Sequence, residues 1–296
     1  MKIYDCFQFF DENMILDLRL NVLNDFVSKF IIVESKYLHS GTEKKPIFDI
    51  KNFSKFKDKI IYILVDKMPE GLNDINESSK DDKKSNKIID NALKFEINQR
   101  NAISKGLSDA EENDLIIVSD VDEIPNLKDN DLRGISKKII QFKQKMYYYK
   151  FNLRYANKSW FGSRACLKKY LITPQWLRET KQRKYPVWRF DILFSKKKYN
   201  NIHHVENGGW HFVNIKTPED IEKKLKNFIH HLEFEESGLN LSDIRNMVND
   251  QKAIYDYDSD MRDYKWSGKI KLETCGISEL PDYLINNKNK YSAWLK

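Results

Sequence analysis

Three carboxylates follow an apolar run at one point of the chain, where residues 115–118 lead into Ser119-Asp120-Val121-Asp122-Glu123-Ile124-Pro125. In open α/β sheets ligands collect at the carboxyl ends of strands, so acids placed there face a site rather than an arbitrary stretch of surface. Asp120 and Asp122 stand at i and i+2 and project the same way while the backbone stays extended. Two hard oxygen ligands suit Mg²⁺ or Mn²⁺, with diphosphate oxygens and water completing an octahedron. The bland alternative is a turn solvated by acids. A bare Asp-x-Asp favours that alternative, and the apolar strand before the pair with Glu-Ile-Pro after it turns the balance toward a site.

Other residues have chemistry that would suit the same site. Arg100 sits in Asn98-Gln99-Arg100-Asn101, where a guanidinium can bind phosphate oxygens in pairs; the alternative is an ordinary ion pair on a helix surface. Four consecutive polar side chains cannot all face a core, which favours the phosphate role. Glu34 closes a strand in the same sense as Asp120, and can accept hydrogen bonds from a base or ribose or else cap a turn. His211 follows Gly208-Gly209-Trp210, where the glycines permit close backbone approach and the indole offers a face for a sugar. A histidine beside a tryptophan is also a common packing arrangement.

These residues need elements to hold them. Residues 3–10 read as a buried strand, 12–30 as a helix with one apolar face, and 30–34 and 59–65 as further strands. Strand, helix, strand in that order predicts a parallel pair joined by a right-handed crossover. Residues 73–86 are polar, charged and aperiodic, and predict a mobile loop. A helix resumes near Lys87 and continues through Leu107, before the continuously apolar strand 114–119. Beyond it, 145–155 and 187–194 mix aromatic and polar residues as antiparallel or edge strands do. Thr173-Pro174 and Thr217-Pro218 are helix starts, the second leading into a helix over 221–234. Residues 281–296 form a short packing helix. The expectation is a mixed, mostly parallel α/β sheet flanked by helices.

Composition narrows the field less. The chain has 296 residues, 41% of them hydrophobic, enough for a core in one domain. Lys and Arg number 51 against 44 Asp and Glu, a net charge of +7 spread along the chain. Such a charge suits nucleic acid, an anionic membrane or a sugar nucleotide equally, so the motifs must decide. Cys6, Cys166 and Cys275 include no Cys-x-x-Cys pair and point to a reducing compartment. The start of the chain lacks the pattern of a signal peptide, and no run approaches a membrane span. A soluble, cytoplasmic protein is expected.

Residues 119–125, with Asn98-Gln99-Arg100-Asn101-Ala102 ahead of them, resemble the glycosyltransferase family that contains β-1,4-mannosyl-glycoprotein β-1,4-N-acetylglucosaminyltransferase, the enzyme that adds the bisecting N-acetylglucosamine. Matching stretches recur in the family's order: Asp17-Leu18-Arg19-Leu20-Asn21, Ile32-Val33-Glu34-Ser35 with His39-Ser40-Gly41, Trp160 and Gly162, Thr173-Pro174-Gln175 with Leu177-Arg178, and Gly208-Gly209-Trp210-His211-Phe212. They run from about residue 5 to residue 233.

The resemblance implies a GT-A fold in one domain over 1–296, with a nucleotide-sugar half at 1–126, an acceptor half at 127–240 and a helical extension at 241–296. It also implies an inverting transfer of N-acetylglucosamine from UDP-GlcNAc to a glycan acceptor with Mn²⁺ or Mg²⁺. Glu34, Arg100, Asn101, Asp120, Val121 and Asp122 would then bind the donor. Asp120, Asp122 and His211 would hold the metal, and Trp160 and Trp210 the acceptor. An inverting reaction needs a base for the acceptor hydroxyl. Glu233 is the first candidate, beside His230 and His231, or else a solvated helix residue. The segment Asn227–Glu233 carries one residue more than the family pattern, so either histidine can occupy the family's position.

Two other functions compete. A nucleic-acid-binding protein could use Lys143, Lys145, Lys150, Arg154 and Lys158 with Tyr147, Tyr148, Tyr149 and Tyr155 as a stacking surface. No recognised nucleic-acid motif accompanies them, and the acids of 119–123 would repel a phosphate backbone; an amphipathic strand is the simpler reading. A metal-dependent nucleotidyltransferase also uses strand-end carboxylates, but the chain lacks a Gly-rich phosphate loop. The expected partners are a UDP-sugar and a glycan, with no nucleic acid and no transmembrane segment, leaving room for peripheral membrane contact.

Overall fold

The computed structural model describes residues 1–75, 81–183, 185, 194–228, 231–257, 259 and 265–296. Four strands form its parallel half: β1 (Ile3–Phe9), β2 (Lys29–Ser35), β3 (Ile60–Val65) and β4 (Leu115–Asp120), in the spatial order β3-β2-β1-β4. Their side chains alternate between two cores. Phe7, Phe30, Ile32, Leu115 and Ile117 face a layer containing helix α1 (Asn13–Leu23), while Cys6, Ile31, Val33, Ile116 and Val118 face the opposite layer. Helix α2 (Asp81–Asn101) and the 3₁₀ turn Ala102–Leu107 run along that second side. Burial on both faces explains the uninterrupted apolar runs in the sequence.

The sheet changes character at β4. There β7 (Leu153–Leu167) pairs antiparallel, followed in space by β6 (Ile139–Tyr148), β9 (Gly209–Val213) and β5 (Glu123–Pro125). Two further strands lie off this path: β8 (Ile202–Val205) pairs with β6, and β10 (Glu273–Thr274) with β7. Helices α3 (Pro174–Glu179), α4 (Pro218–Leu225), α5 (His231–Glu236), α6 (Leu241–Asn249) and α7 (Asp282–Asn286) follow among the described residues. Thr173 and Thr217 cap α3 and α4 through their hydroxyls, each followed by proline, as the sequence signals require.

Several elements depart from the periodicity. Helix α1 stops at Leu23 because the Leu23 carbonyl accepts from the Phe26 and Val27 amides and turns the chain into β2. Helix α2 begins at Asp81, inside the stretch that reads as a loop; its polar first turns have no apolar stripe to reveal them. Residues 145–155 are not one strand but the end of β6, a turn and the start of β7, with Tyr149 at φ 63°. The helix expected over 221–234 ends at Leu225, where the Asn227 amide donates back to the Lys224 carbonyl, and α5 is separate. The strand expected over 187–194 lies outside the described residues apart from Phe194. Tyr147, Tyr148, Tyr149 and Tyr155 are all core residues, so the stacking surface that a nucleic-acid reading needs does not exist.

Candidate active site

The turn between β4 and β5 carries Asp120, Val121 and Asp122, and a buried cation fixes its shape. Arg19 interrupts the otherwise apolar buried face of α1 and forms a two-point ion pair with Asp5 on β1, at 2.6 and 2.8 Å. It also donates to the carbonyls of Asp120 (3.0 Å), Val121 (3.3 Å) and Glu123 (2.6 Å). A guanidinium has donors enough to hold a carboxylate and a turn together. Removing one partner of such a buried pair costs about 3–5 kcal/mol.

Glu123 is a structural acid. Its side chain is fully buried and accepts from Arg178 of α3 (2.7 and 3.1 Å), from the Trp160 indole (2.6 Å) and from the Asp120 amide (2.9 Å). Gly162 lies opposite, where a β-carbon would stand 2.7 Å from the Glu123 carboxyl carbon; only glycine leaves that room. Arg178 continues to Asp120 (2.9 Å), whose other oxygen meets Arg100 of α2 at 3.1 Å. Desolvation works against the Asp120 charge, but Arg178, Arg100 and His211 outweigh it and hold the carboxyl well below the usual range.

Strand β9 delivers His211. Gly209, at φ 118°, lets the chain pass against Ile124 and Asn126, where a β-carbon would clash. His211 then pairs with Glu123 across the β5/β9 ladder, and the Phe212 amide donates to the Asp122 carbonyl (2.9 Å). The glycines therefore serve strand packing. His211 Nε2 stands 3.6 Å from Asp122 Oδ1, and Lys224 Nζ of α4 is 3.6 Å from Oδ2. Burial raises the Asp122 pKa despite the lowering effect of Lys224 and His211. Burial works against the Lys224 charge, but Asp122 and Glu12 more than compensate and raise its pKa.

These groups line one cleft of about 450 Å³ at the carboxyl ends of the parallel strands. Asp120, Val121, Asp122, Arg100, His211 and Trp160 all border it, so the structure unites six of the residues singled out in the sequence. Others stand elsewhere. Glu34 is fully buried, with its oxygens taken by Lys44, Tyr62 and the Ile47 and Phe48 amides. Asn101 accepts from the Gln175 amide and joins α2 to α3. Trp210 alternates to the opposite side of β9 from His211 and donates to the Glu279 carbonyl. His231 borders a second hollow of about 360 Å³ with Met68, Leu72 and Phe95. Glu233, on α5, is not among the residues lining the cleft, and His230 lies outside the described residues.

Sequence reasoning missed Arg19, Arg178, Lys224 and His39 as parts of this region. Arg19 had a legible signal, a charge amid buried Ile15, Leu16, Leu18, Leu20 and Leu23; His39 and Arg178 stand in stretches that resemble the family but carried no assigned role, and Lys224 had no signal. His39 borders both hollows, and burial lowers its pKa, with Arg100 adding to the effect and Glu96 opposing it.

Among the described residues no three His, Cys, Asp or Glu side chains are grouped to hold a metal by themselves. Mg²⁺-type sites commonly take one or two protein ligands and leave the rest to phosphate and water. Adjacent ligands of an octahedral ion at its usual bond length lie about 3 Å apart, and the Asp122 and His211 side chains stand near that spacing. His211 Nδ1 is buried without a partner among the described residues. Asp122 and His211 thus fit a divalent ion, whereas Asp120 has both oxygens directed to guanidiniums.

The profile of glycosyltransferase family 17 matches residues 1–296. The chain belongs to that family. It is therefore a glycosyltransferase of GT-A fold, in keeping with the mixed sheet and its strand-end cleft, and the family implies inverting sugar transfer. No curated protein matches the chain. No described helix of this glycosyltransferase is long and apolar enough to cross a membrane.

Proposed function

We propose that the glycosyltransferase moves N-acetylglucosamine from UDP-GlcNAc to a hydroxyl of a glycan, with Mn²⁺ or Mg²⁺ held by Asp122 and His211. The observation that carries this reading is Asp122 itself, a mostly buried acid in the cleft with an imidazole and an ammonium at 3.6 Å. Phe10 and Tyr37, just beyond β1 and β2, border the same cleft and offer faces for a base. Arg100 and Lys224 supply positive charge for the diphosphate. The bound ion adds charge stabilisation to the departing diphosphate.

In the transfer, the acceptor oxygen bonds to the anomeric carbon opposite the diphosphate. The bond from that carbon to the phosphate oxygen breaks, UDP leaves with the electron pair, and the hydroxyl proton passes to a base. We assign that base to a group lining the cleft rather than to α5. Arg19 and Arg178 keep the 120–123 turn rigid, so that Asp122 meets the donor without reorganising. The three cysteines are unpaired, which suits the cytoplasm as the compartment we propose.

A hydrolysis screen over sugar nucleotides, with Mn²⁺, Mg²⁺ or chelator, tests donor and metal together. Release of UDP from UDP-GlcNAc that chelator abolishes is the expected result. Release of pyrophosphate, or turnover indifferent to chelator, overturns the proposal.

A further inference from the structure

One wall of the cleft differs from the charged groups around Asp122. Tyr257, Tyr255 and Trp266, all from the C-terminal segment, border the cleft beside Trp160. Their rings meet edge to face: Trp160 and Tyr257 at 5.6 Å, Tyr257 and Tyr255 at 4.9 Å, Tyr255 and Trp266 at 5.1 Å. Edge-to-face packing is the favoured arrangement for aromatic pairs and leaves ring faces available to a ligand. The backbone behind them is anchored, with Lys158 Nζ donating to the Tyr257 carbonyl (3.0 Å), the Asp256 amide to Lys265 (2.6 Å) and the Ala253 amide to Ile270 (2.9 Å). The Tyr257 hydroxyl bonds to that of Tyr148, which accepts from Asn214 at 3.3 Å.

Trp266 is 7% exposed and backs the wall, with its indole Nε1 enclosed. The same cleft also carries Asp122, His211 and Lys224. An aliphatic chain would match the rings but not those polar groups. A pyranose ring has a C–H face to lie on aromatic carbon and hydroxyl groups at its edge for the polar part of the cleft.

We propose that this wall is the acceptor platform, binding the sugar ring that presents its hydroxyl to the donor, with Tyr257 as stacking face and Trp266 packed behind it. The proposal rests on the glycosyl-transfer reading above. It assigns acceptor recognition to the C-terminal segment, beyond the motifs quoted from residues 5–233.

Tryptophan fluorescence of the full chain, titrated with methyl glycosides of mannose, glucose, galactose and N-acetylglucosamine, with and without UDP, tests it. At least one glycoside should bind the parent with a dissociation constant in the millimolar range. Tyr257→Ala should weaken that binding about tenfold, and Tyr257→Phe, which keeps the ring, less than about threefold. Calorimetric UDP affinity should stay the same in both variants. Absence of glycoside binding to the parent overturns the platform, as does equal loss in the Phe and Ala variants. Equal weakening of UDP and glycoside by Tyr257→Ala assigns the wall to the nucleobase instead. Glycoside binding to a parent that does not bind UDP would sink the donor reading and leave the platform standing.

Discussion

Strands β2 and β4 run parallel in one sheet and both lead into acids, yet the surroundings of Glu34 and Asp122 are opposite. Glu34 accepts from Lys44 Nζ (2.6 Å), the Ile47 and Phe48 amides (2.9 and 3.1 Å) and the Tyr62 hydroxyl (3.0 Å). Those bonds fold residues 44–48 back over the strand end. Asp122 is similarly removed from water, but the nitrogens beside it, on His211 and Lys224, are 3.6 Å away. A carboxylate filled by protein donors is committed to the fold, whereas one left short of them inside a cleft is available to a ligand. Position at a strand end does not separate the two; the donor inventory does.

The largest effect that this contrast predicts is on turnover. Asp122→Ala should lower UDP-GlcNAc turnover by about 10²- to 10³-fold, the scale of losing a preorganised electrostatic group. Its thermal midpoint should stay at or above the parent's, because burial holds the Asp122 charge at a disadvantage. A melting curve beside the kinetics reads both, and parental turnover would remove Asp122 from the site.

Glu34→Ala should do the reverse. Leaving Lys44, Tyr62 and two amides without their acceptor costs about 3 kcal/mol or more. Urea denaturation should show that loss, while the surviving folded fraction keeps its UDP affinity. A fully stable variant with lost UDP binding would make Glu34 a donor ligand and erase the contrast.

Arg100→Ala should weaken UDP about tenfold and uridine much less, since a guanidinium contributes through the diphosphate. Equal losses in calorimetry would reduce Arg100 to a support for Asp120.

A smaller effect concerns acid. The Asp120 carboxyl is depressed in the folded state, so its stabilisation is complete above the unfolded carboxylate pKa and is lost as pH falls through the lower folded value. Denaturation of parent and Asp120→Asn should therefore differ by a constant amount near neutrality and converge below about pH 4. A gap that widens in acid would contradict that sign.

The smallest expected effect is at Glu233. Because it does not line the cleft, Glu233→Gln should transfer sugar within about twofold of the parent, whereas a lost general base costs about 10²- to 10⁴-fold. Collapse of transfer would bring α5 back into the chemistry.

Features that depend on neighbouring residues were legible along the chain. Continuous apolar runs at β1, β2 and β4 specify strands buried on two faces, the helix between β1 and β2 specifies a parallel crossover, and Asp120-Val121-Asp122 follows from its place at a strand end. Threonine-proline pairs marked the starts of α3 and α4 for the same local reason. Alternation along a strand even contained the fact that Trp210 and His211 face opposite ways, though not which way led to the cleft. Which charges meet emerged only on folding. Arg178 reaches Glu123 across 55 residues of sequence and Asp120 across 58, and Arg19 reaches the carbonyl of Glu123 across 104. Local periodicity records which side of an element is apolar, but a charge's partner is fixed only when distant segments close on one another and exclude water. Glu34 and Asp122 therefore look alike in the chain and differ in the fold.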